Sequence, residues 1–325
     1  MRVSPDALRF PFERVLLART KLAYVHLRNL LTDAKRDRAA RVFGYVVVWL
    51  HEELLLLYLQ EGEVVAATAS LDGVTYHDVP IREALAMVPN AAEYGEICFH
   101  VADDEQLACM HAAQTLAPEP FPAEVKTDNA SAVLGFFLGS TFDGMAELNV
   151  GGRVNYVVFR HGAPRRAFFA DAPHGGPIDD AVRGLWTAGG AVPLLRRWPV
   201  PPPLPNQAAP ALIDAYRSLV HGLTRRLGEV GVQNASQLVE RARQALADAH
   251  PALQTLAIAG SDQRDPVTTT PLLARAVGAW VKEVMWAVAL PDAVSVEGLL
   301  RELTRERRHL FQSAGFFDAI PWKVA

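Results

Sequence analysis

At 325 residues, with a formal net charge of −4 and two cysteines, Cys98 and Cys109, the chain suits two or three domains with real cores. That charge excludes a global nucleic-acid-coating role, and so few cysteines exclude a disulfide framework. Half of the residues are hydrophobic and 21% are charged, the balance of a folded protein.

The N-terminus, MRVSPDALRFPFERVLLARTK, breaks its apolar residues with arginines, prolines and acids, and so lacks the continuous apolar core of a secretory signal. A cytoplasmic protein is expected. A long helix is predicted over roughly residues 14–40, ending in the run Asp33-Ala34-Lys35-Arg36-Asp37-Arg38, whose alternating signs mark a solvated helix face. The next stretch, VFGYVVVWLHEELLLLYL at 42–59, is apolar enough to suggest a membrane span. His51, Glu52 and Glu53 at its centre would be costly in lipid, so two strands joined by a polar turn are predicted instead.

From residue 43 onward the chain reads as a duplication. Phe43-Gly44-Tyr45-Val46-Val47-Val48, Leu54 to Leu59, Gly62 and Val64 to Ala67 correspond to Phe142 to Leu148, Val154 to Phe159, Gly162 and Arg166 to Phe169. Gly44 pairs with Gly144 and Gly62 with Gly162, a constant offset of 100. Downstream, His77-Asp78-Val79-Pro80-Ile81 matches His174-Gly175-Gly176-Pro177-Ile178 at an offset of 97. Each Pro-Ile opens an amphipathic helix, where proline's missing N–H is not needed. A closing strand follows in each copy, at Ile97–Val101 and Leu194–Trp198.

The predicted unit is a three-stranded meander, a helix and a fourth strand. Its hairpins turn at His51-Glu52 and Glu61-Gly62-Glu63 in the first copy, and at Gly151-Gly152 and His161-Gly162-Ala163 in the second. The Val and Leu runs lack clean alternation, so the strands are expected to be buried on both faces, with the two sheets covering each other. In the second copy a helix over Ser131–Ser140, capped by Asp128 or Asn129, precedes the meander.

The opening at Gly44–Val48, the strand Leu56–Leu59, and the glycine turn and strand Gly62-Glu63-Val64-Val65-Ala66-Ala67 resemble the PATAN-like effector domains found beside response-regulator modules in bacterial signalling proteins. The resemblance covers about 43–117 and, in more degenerate form, 129–198. It implies an interaction module and brings no catalytic residue with it.

Residues 198–210, WPVPPPLPNQAAP, read as an extended linker because proline removes so many backbone donors. Beyond it the period turns helical: Leu212, Tyr216, Leu219, Leu223 and Leu227 mark one stripe, and Leu238, Val239, Ala242 and Leu246 a second. A third helix opens at Thr270-Pro271, two short ones follow near 295–314, and Gly315 stops the last. The aromatic end, Phe316 to Trp322, is expected to fold back on these helices, Trp322 otherwise anchoring a partner. The fold class is thus α+β: two repeated antiparallel meander-plus-helix units packed together (1–117 and 118–198), a Pro-rich linker (199–210) and a helical C-terminal domain (211–325).

Phosphate-loop, dinucleotide-fingerprint, zincin and nucleophile-elbow motifs are absent from the sequence. Cys98 and His100 would share a strand face, but Cys109 and His111 point about 200° apart on a helix, so no four-ligand metal site is expected. No cofactor is implied. Asp72 with His77 and Asp171 with His174 recur in the loops before the Pro-Ile helices, where an acid and an imidazole can form a proton-transfer pair or hold a ligand. Inherited loop geometry accounts for them equally. Arg160, Arg165, Arg166, Arg196 and Arg197 occur in the second copy only, although Arg165 and Arg166 face opposite ways on a strand.

The leading expectation is a non-enzymatic signalling adaptor that binds a protein partner or its own copy. The alternatives are a small-ligand or cyclic-nucleotide sensor using Arg165 and Arg197, and an enzyme using the Asp/His pairs.

Overall fold

The computed structural model describes residues 7–36, 42–51, 53–88, 94–171, 176–187, 192–256, 264–291 and 294–324. The first elements are β1 (Arg14–Lys21), α1 (Leu27–Arg36), β2 (Gly44–Trp49), β3 (Leu54–Gln60), β4 (Glu63–Ser70), β5 (His77–Asp78), α2 (Ile81–Met87), β6 (Glu96–Val101) and α3 (Asp104–Thr115). There follow α4 (Ala130–Gly139), β7 (Gly144–Val150), β8 (Arg153–Arg160), β9 (Ala163–Phe168), α5 (Ile178–Gly184) and β10 (Leu194–Pro199). The strands form two antiparallel sheets, ordered β1-β6-β2-β3-β4-β5 and β10-β7-β8-β9.

The helix expected over 14–40 is corrected by the structure. Its described helical parts are a single 3-10 turn at Leu22–Tyr24 and α1, whereas residues 14–21 form β1, an edge strand paired antiparallel with β6 from Arg14↔Val101 to Lys21↔Glu96. RVLLARTK is rich in good helix formers, but these differences amount to tenths of a kcal/mol per residue and pairing overrides them. Residues 37–41, the end of the expected helix, lie outside the described residues.

The chain divides into two units, Met1–Val79 with Ala84–Pro205, and Pro80–Glu83 with Asn206–Ala325. In the first, Tyr45, Val47, Leu56 and Tyr58 of one sheet and Met145, Tyr156, Val158 and Trp198 of the other share one core with α3. That helix is buried continuously from Gln106 to Gln114, with Asp103 capping its start by accepting from the Gln106 N–H at 2.9 Å. On the opposite face of the first sheet, Val46, Val48, Leu55 and Leu57 pack with Leu27 and Leu31 of α1 and Ala84 of α2. On that of the second, Ala146, Leu148, Val157 and Phe159 pack with Val133 and Phe137 of α4 and Val182 of α5. The Val and Leu runs therefore carry no alternation because both faces are covered.

Both second hairpins turn on a left-handed pair, Glu61-Gly62 (φ 51° and 79°) and His161-Gly162 (φ 51° and 77°). Just ahead of these turns the ladder slips between Tyr58 and Leu59, and again between Val158 and Phe159.

The described elements of the second unit beyond residue 206 are α6 (Pro210–Glu229), α7 (Ala235–Leu246), α8 (Ala252–Thr255), α9 (Thr270–Trp286), α10 (Val296–Thr304) and α11 (Arg308–Ser313). A proline opens α9, as the sequence suggested, and another opens α6, whose first residue, Pro210, belongs to the segment expected as linker. Tyr216, Trp280, Phe311 and Phe316 centre the core, and Trp280 Nε1 donates to the Val239 carbonyl at 2.9 Å. Gly315, at φ 73°, turns the chain so that Phe316, Ile320 and Val324 are buried against these helices.

Candidate ligand-binding cleft

The segment before β1 joins the two sheets. The Arg9 N–H donates to the Gly152 carbonyl and the Arg9 carbonyl accepts from the Val154 N–H, both at 2.9 Å, while the Glu13 N–H donates to the Val101 carbonyl at 2.9 Å. Leu8 and Phe10 are thereby buried. Strand periodicity puts Tyr45, Val47 and Trp49 on one face of β2, and the register Tyr45↔His100 and Val47↔Cys98 adds two side chains from β6. These groups, with Phe10, Phe12 and Ala170, wall a cavity of about 430 Å³. A second cavity of about 430 Å³, lined by Ala7, Val150, Gly151 and Arg153, shares Arg9, Arg19 and Asp171 with the first.

The floor is uncharged at neutral pH. Burial pulls the His100 imidazole down to about 4 and pushes the Cys98 thiol up to about 12. Tyr45 donates its hydroxyl proton to the Pro11 carbonyl at 2.8 Å and lies 2.9 Å from His100 Nδ1. A phenol has one proton to give, so Nδ1 carries the hydrogen in this pair and Nε2 keeps its lone pair.

The mouth is cationic. Arg9 Nη1 lies 3.7 Å from one Asp171 oxygen and Arg153 Nη1 lies 3.4 Å from the other, both longer than a tight charge-assisted bond. Arg19 is held by Glu96 at 2.5 Å, with its guanidinium 4.0 Å from the centre of the Trp49 ring. Among the described residues, Arg9, Arg19 and Arg153 thus meet Asp171 and Glu96 beside an apolar hollow. No family model, curated protein or solved structure matches the chain.

Of the residues singled out in the sequence, Cys98, His100 and Asp171 come to this cleft. His174 lies outside the described residues. His77 is exposed on β5 opposite Ala69, while the Asp72 carboxylate is taken up by its own loop, accepting from the Val74 and Thr75 N–H groups at 2.8 and 2.7 Å. Arg165 is exposed on β9, at the far edge of the second sheet from β10, which carries Arg197. The Arg197 guanidinium donates to the Pro120 carbonyl at 2.9 Å and lies over the rings of Phe121, Phe136 and Phe142. Trp322 packs, partly buried, against the helical core. Cys109 is buried, His111 Nε2 is 3.0 Å from Asp78 Oδ1, and no group of three or more metal-ligating side chains forms among the described residues.

Arg9, Arg19, Arg153, Phe10 and Phe12 were not singled out as site residues in the sequence. The available signal was the alternation of Arg9-Phe10-Pro11-Phe12, in which each aromatic sits beside a proline.

Proposed function

We propose that the chain is a non-enzymatic signalling adaptor whose first unit receives a small ligand in this cleft. The observation that carries the reading is an uncharged, largely aromatic hollow closed by a cationic rim, the form of a small-molecule site. The arginines at that rim are Arg9 and Arg19, with Arg153 lining the adjoining cavity, in place of the Arg165 and Arg197 that the sequence suggested. A ligand bridging the N-terminal segment and the two sheets would reach elements that belong to both halves of the unit.

In this reading the unit is a duplication of one meander, residues 43–101 against 142–198, in the manner of tandem PATAN-like domains. The shared order of four strands, β6-β2-β3-β4 against β10-β7-β8-β9, the matching left-handed turns and the ladder slip at the same step support it, although β1 and β5 have no counterpart in the second sheet. So do the Gly62 and Gly162 N–H groups, which donate to the Val42 and Phe142 carbonyls at 2.8 and 2.9 Å. The helical elements after the linker would stabilise or relay the bound state, in the bacterial cytoplasm.

A protein partner is the second reading, favoured by β1. Val15 and Leu16 are 42% and 41% exposed on an edge strand that can accept another strand.

The test is calorimetry of the full chain against a panel of metabolites, with hydrogen exchange measured on each complex. The expected result is one ligand per chain, with protection at 8–12, 45–49 and 98–100. A panel without a binder, or protection confined to other elements, overturns the proposal.

A further inference from the structure

Resting on the reading of the cleft as a ligand site, we infer that its ligand is an amphipathic monocarboxylate, an apolar body ending in one carboxylate, such as a medium-chain acyl acid.

The charge at the rim sets the head group. Among the described residues, Arg9 and Arg153 share the single carboxylate of Asp171, one cation more than anions at that end of the rim. A single anion balances that excess, whereas a di- or triphosphate would bring added charge against two fixed carboxylates. The rim already holds a planar carboxylate: Asp171 sits between Arg9 and Arg153 at 3.7 and 3.4 Å. Guanidinium groups carry five donors in a fork matched to a carboxylate, so contacts this loose leave capacity for a second one. With 69% of its side chain exposed, Arg9 has open space in which to turn toward it.

The floor sets the body. Phe10, Phe12, Tyr45, Val47 and Trp49 offer rings and methyl groups, with the Tyr45 hydroxyl engaged on Pro11. His100 Nε2 is a lone acceptor there, too little to satisfy the several donors and acceptors of a nucleobase and ribose. An alkyl or aryl body brings no donor or acceptor of its own that the floor would have to satisfy. The cavity volume is within the range of small-ligand pockets of about 300–1,000 Å³.

The probes are decanoate below its micelle concentration, 1-decanol, decyl phosphate, and a cyclic dinucleotide. They are titrated calorimetrically into the full chain at pH 7, with hydrogen exchange locating each complex. Decanoate is expected to bind one per chain and to protect 8–12, 45–49 and 98–100. Decanol should bind at least about tenfold more weakly. Arg9→Ala with Arg153→Ala, both near the surface and checked for unchanged circular dichroism, should cut decanoate affinity about tenfold and leave decanol alone. Arg165→Ala should change neither.

Equal binding of decanol and decanoate, or indifference of decanoate to the double variant, overturns the carboxylate assignment. Tighter binding of the phosphate or the dinucleotide with protection at the same segments also overturns it, while the cleft survives as a site. If no probe protects those segments and a wider metabolite panel is equally silent, the cleft reading falls with it.

Discussion

Arg196 stands directly opposite Glu147 across β10 and β7, and its Nη2 donates to Glu147 Oε1 at 2.6 Å. The Glu147 side chain is 3% exposed and that of Arg196 25%. Burial pushes the Glu147 carboxyl above its ordinary range, with Arg196 and the Tyr156 hydroxyl drawing it part of the way back. Removing only the cation strands a buried carboxylate, so Arg196→Met is expected to lower stability by about 3 kcal/mol. Arg196→Met with Glu147→Leu should recover most of that. A carboxyl whose folded pKa is raised is penalised above that value and relieved as pH falls through it. The deficit of Arg196→Met, from urea denaturation, should therefore be smaller at pH 5 than at pH 7. An equal deficit at both would show that Glu147 does not carry it.

Gly62 and Gly162 make a matched experiment. Each has positive φ, and a Cβ at either would stand 2.4 Å from a backbone oxygen, that of Ala34 or of Phe137. Alanine at either position combines left-handed strain of about 1–2 kcal/mol with displacement of a helix end, for an expected loss of about 3 kcal/mol. Gly151, at φ 59° with nothing within 4 Å of its Cβ position, should lose only the first part, about 1 kcal/mol. Denaturation midpoints of the three variants decide this; equal shifts would mean that the close approach contributes nothing.

These glycines also explain why the meanders were legible in the sequence. A tight turn between apolar runs needs a positive φ, and glycine advertises it. The helix start at Asn129, one of the two caps the sequence offered, was legible for a similarly local reason, since its side chain caps the first turn. The segment 14–21 was not, because an edge strand covered by little leaves no period in its residues, and its pairing partner β6 lies some 80 residues away. The cleft was hidden more deeply. Its walls come from 8–12, 45–49, 98–100 and 170–171, and only the strand register brings them together. Cys98 and His100 drew notice for metal chemistry, yet their shared face lines an apolar hollow.

Asp72 gives a local test. Its carboxylate accepts from Thr75, Val74 and Ser70, and these bonds hold its pKa at about 2. Because the folded value is depressed, the stabilisation is present above the ordinary carboxylate range and is lost as pH falls through about 2. Asp72→Ala should speed amide exchange at 73–75 at neutral pH while leaving the sheet amides unchanged. An NMR titration of Asp72 with a midpoint near 4 would contradict the bonding.

His100 gives the clearest dependence on pH. Burial lowers its pKa from 6.5 to about 4, so the folded protein holds the ring neutral over a range in which the unfolded chain protonates it. The unfolded state then binds more protons, and stability falls as pH drops from 6.5 toward about 4. Carboxylates contribute to the same limb, and His100→Phe separates them. Phenylalanine keeps a ring against Phe12, whose centre lies 4.5 Å away, and leaves the Tyr45 hydroxyl its bond to Pro11. The variant should therefore fold, and its stability should decline less steeply than that of the natural protein across this window. Parallel slopes would mean that the imidazole titrates in the folded state much as it does in water, and that the floor of the cleft is wet.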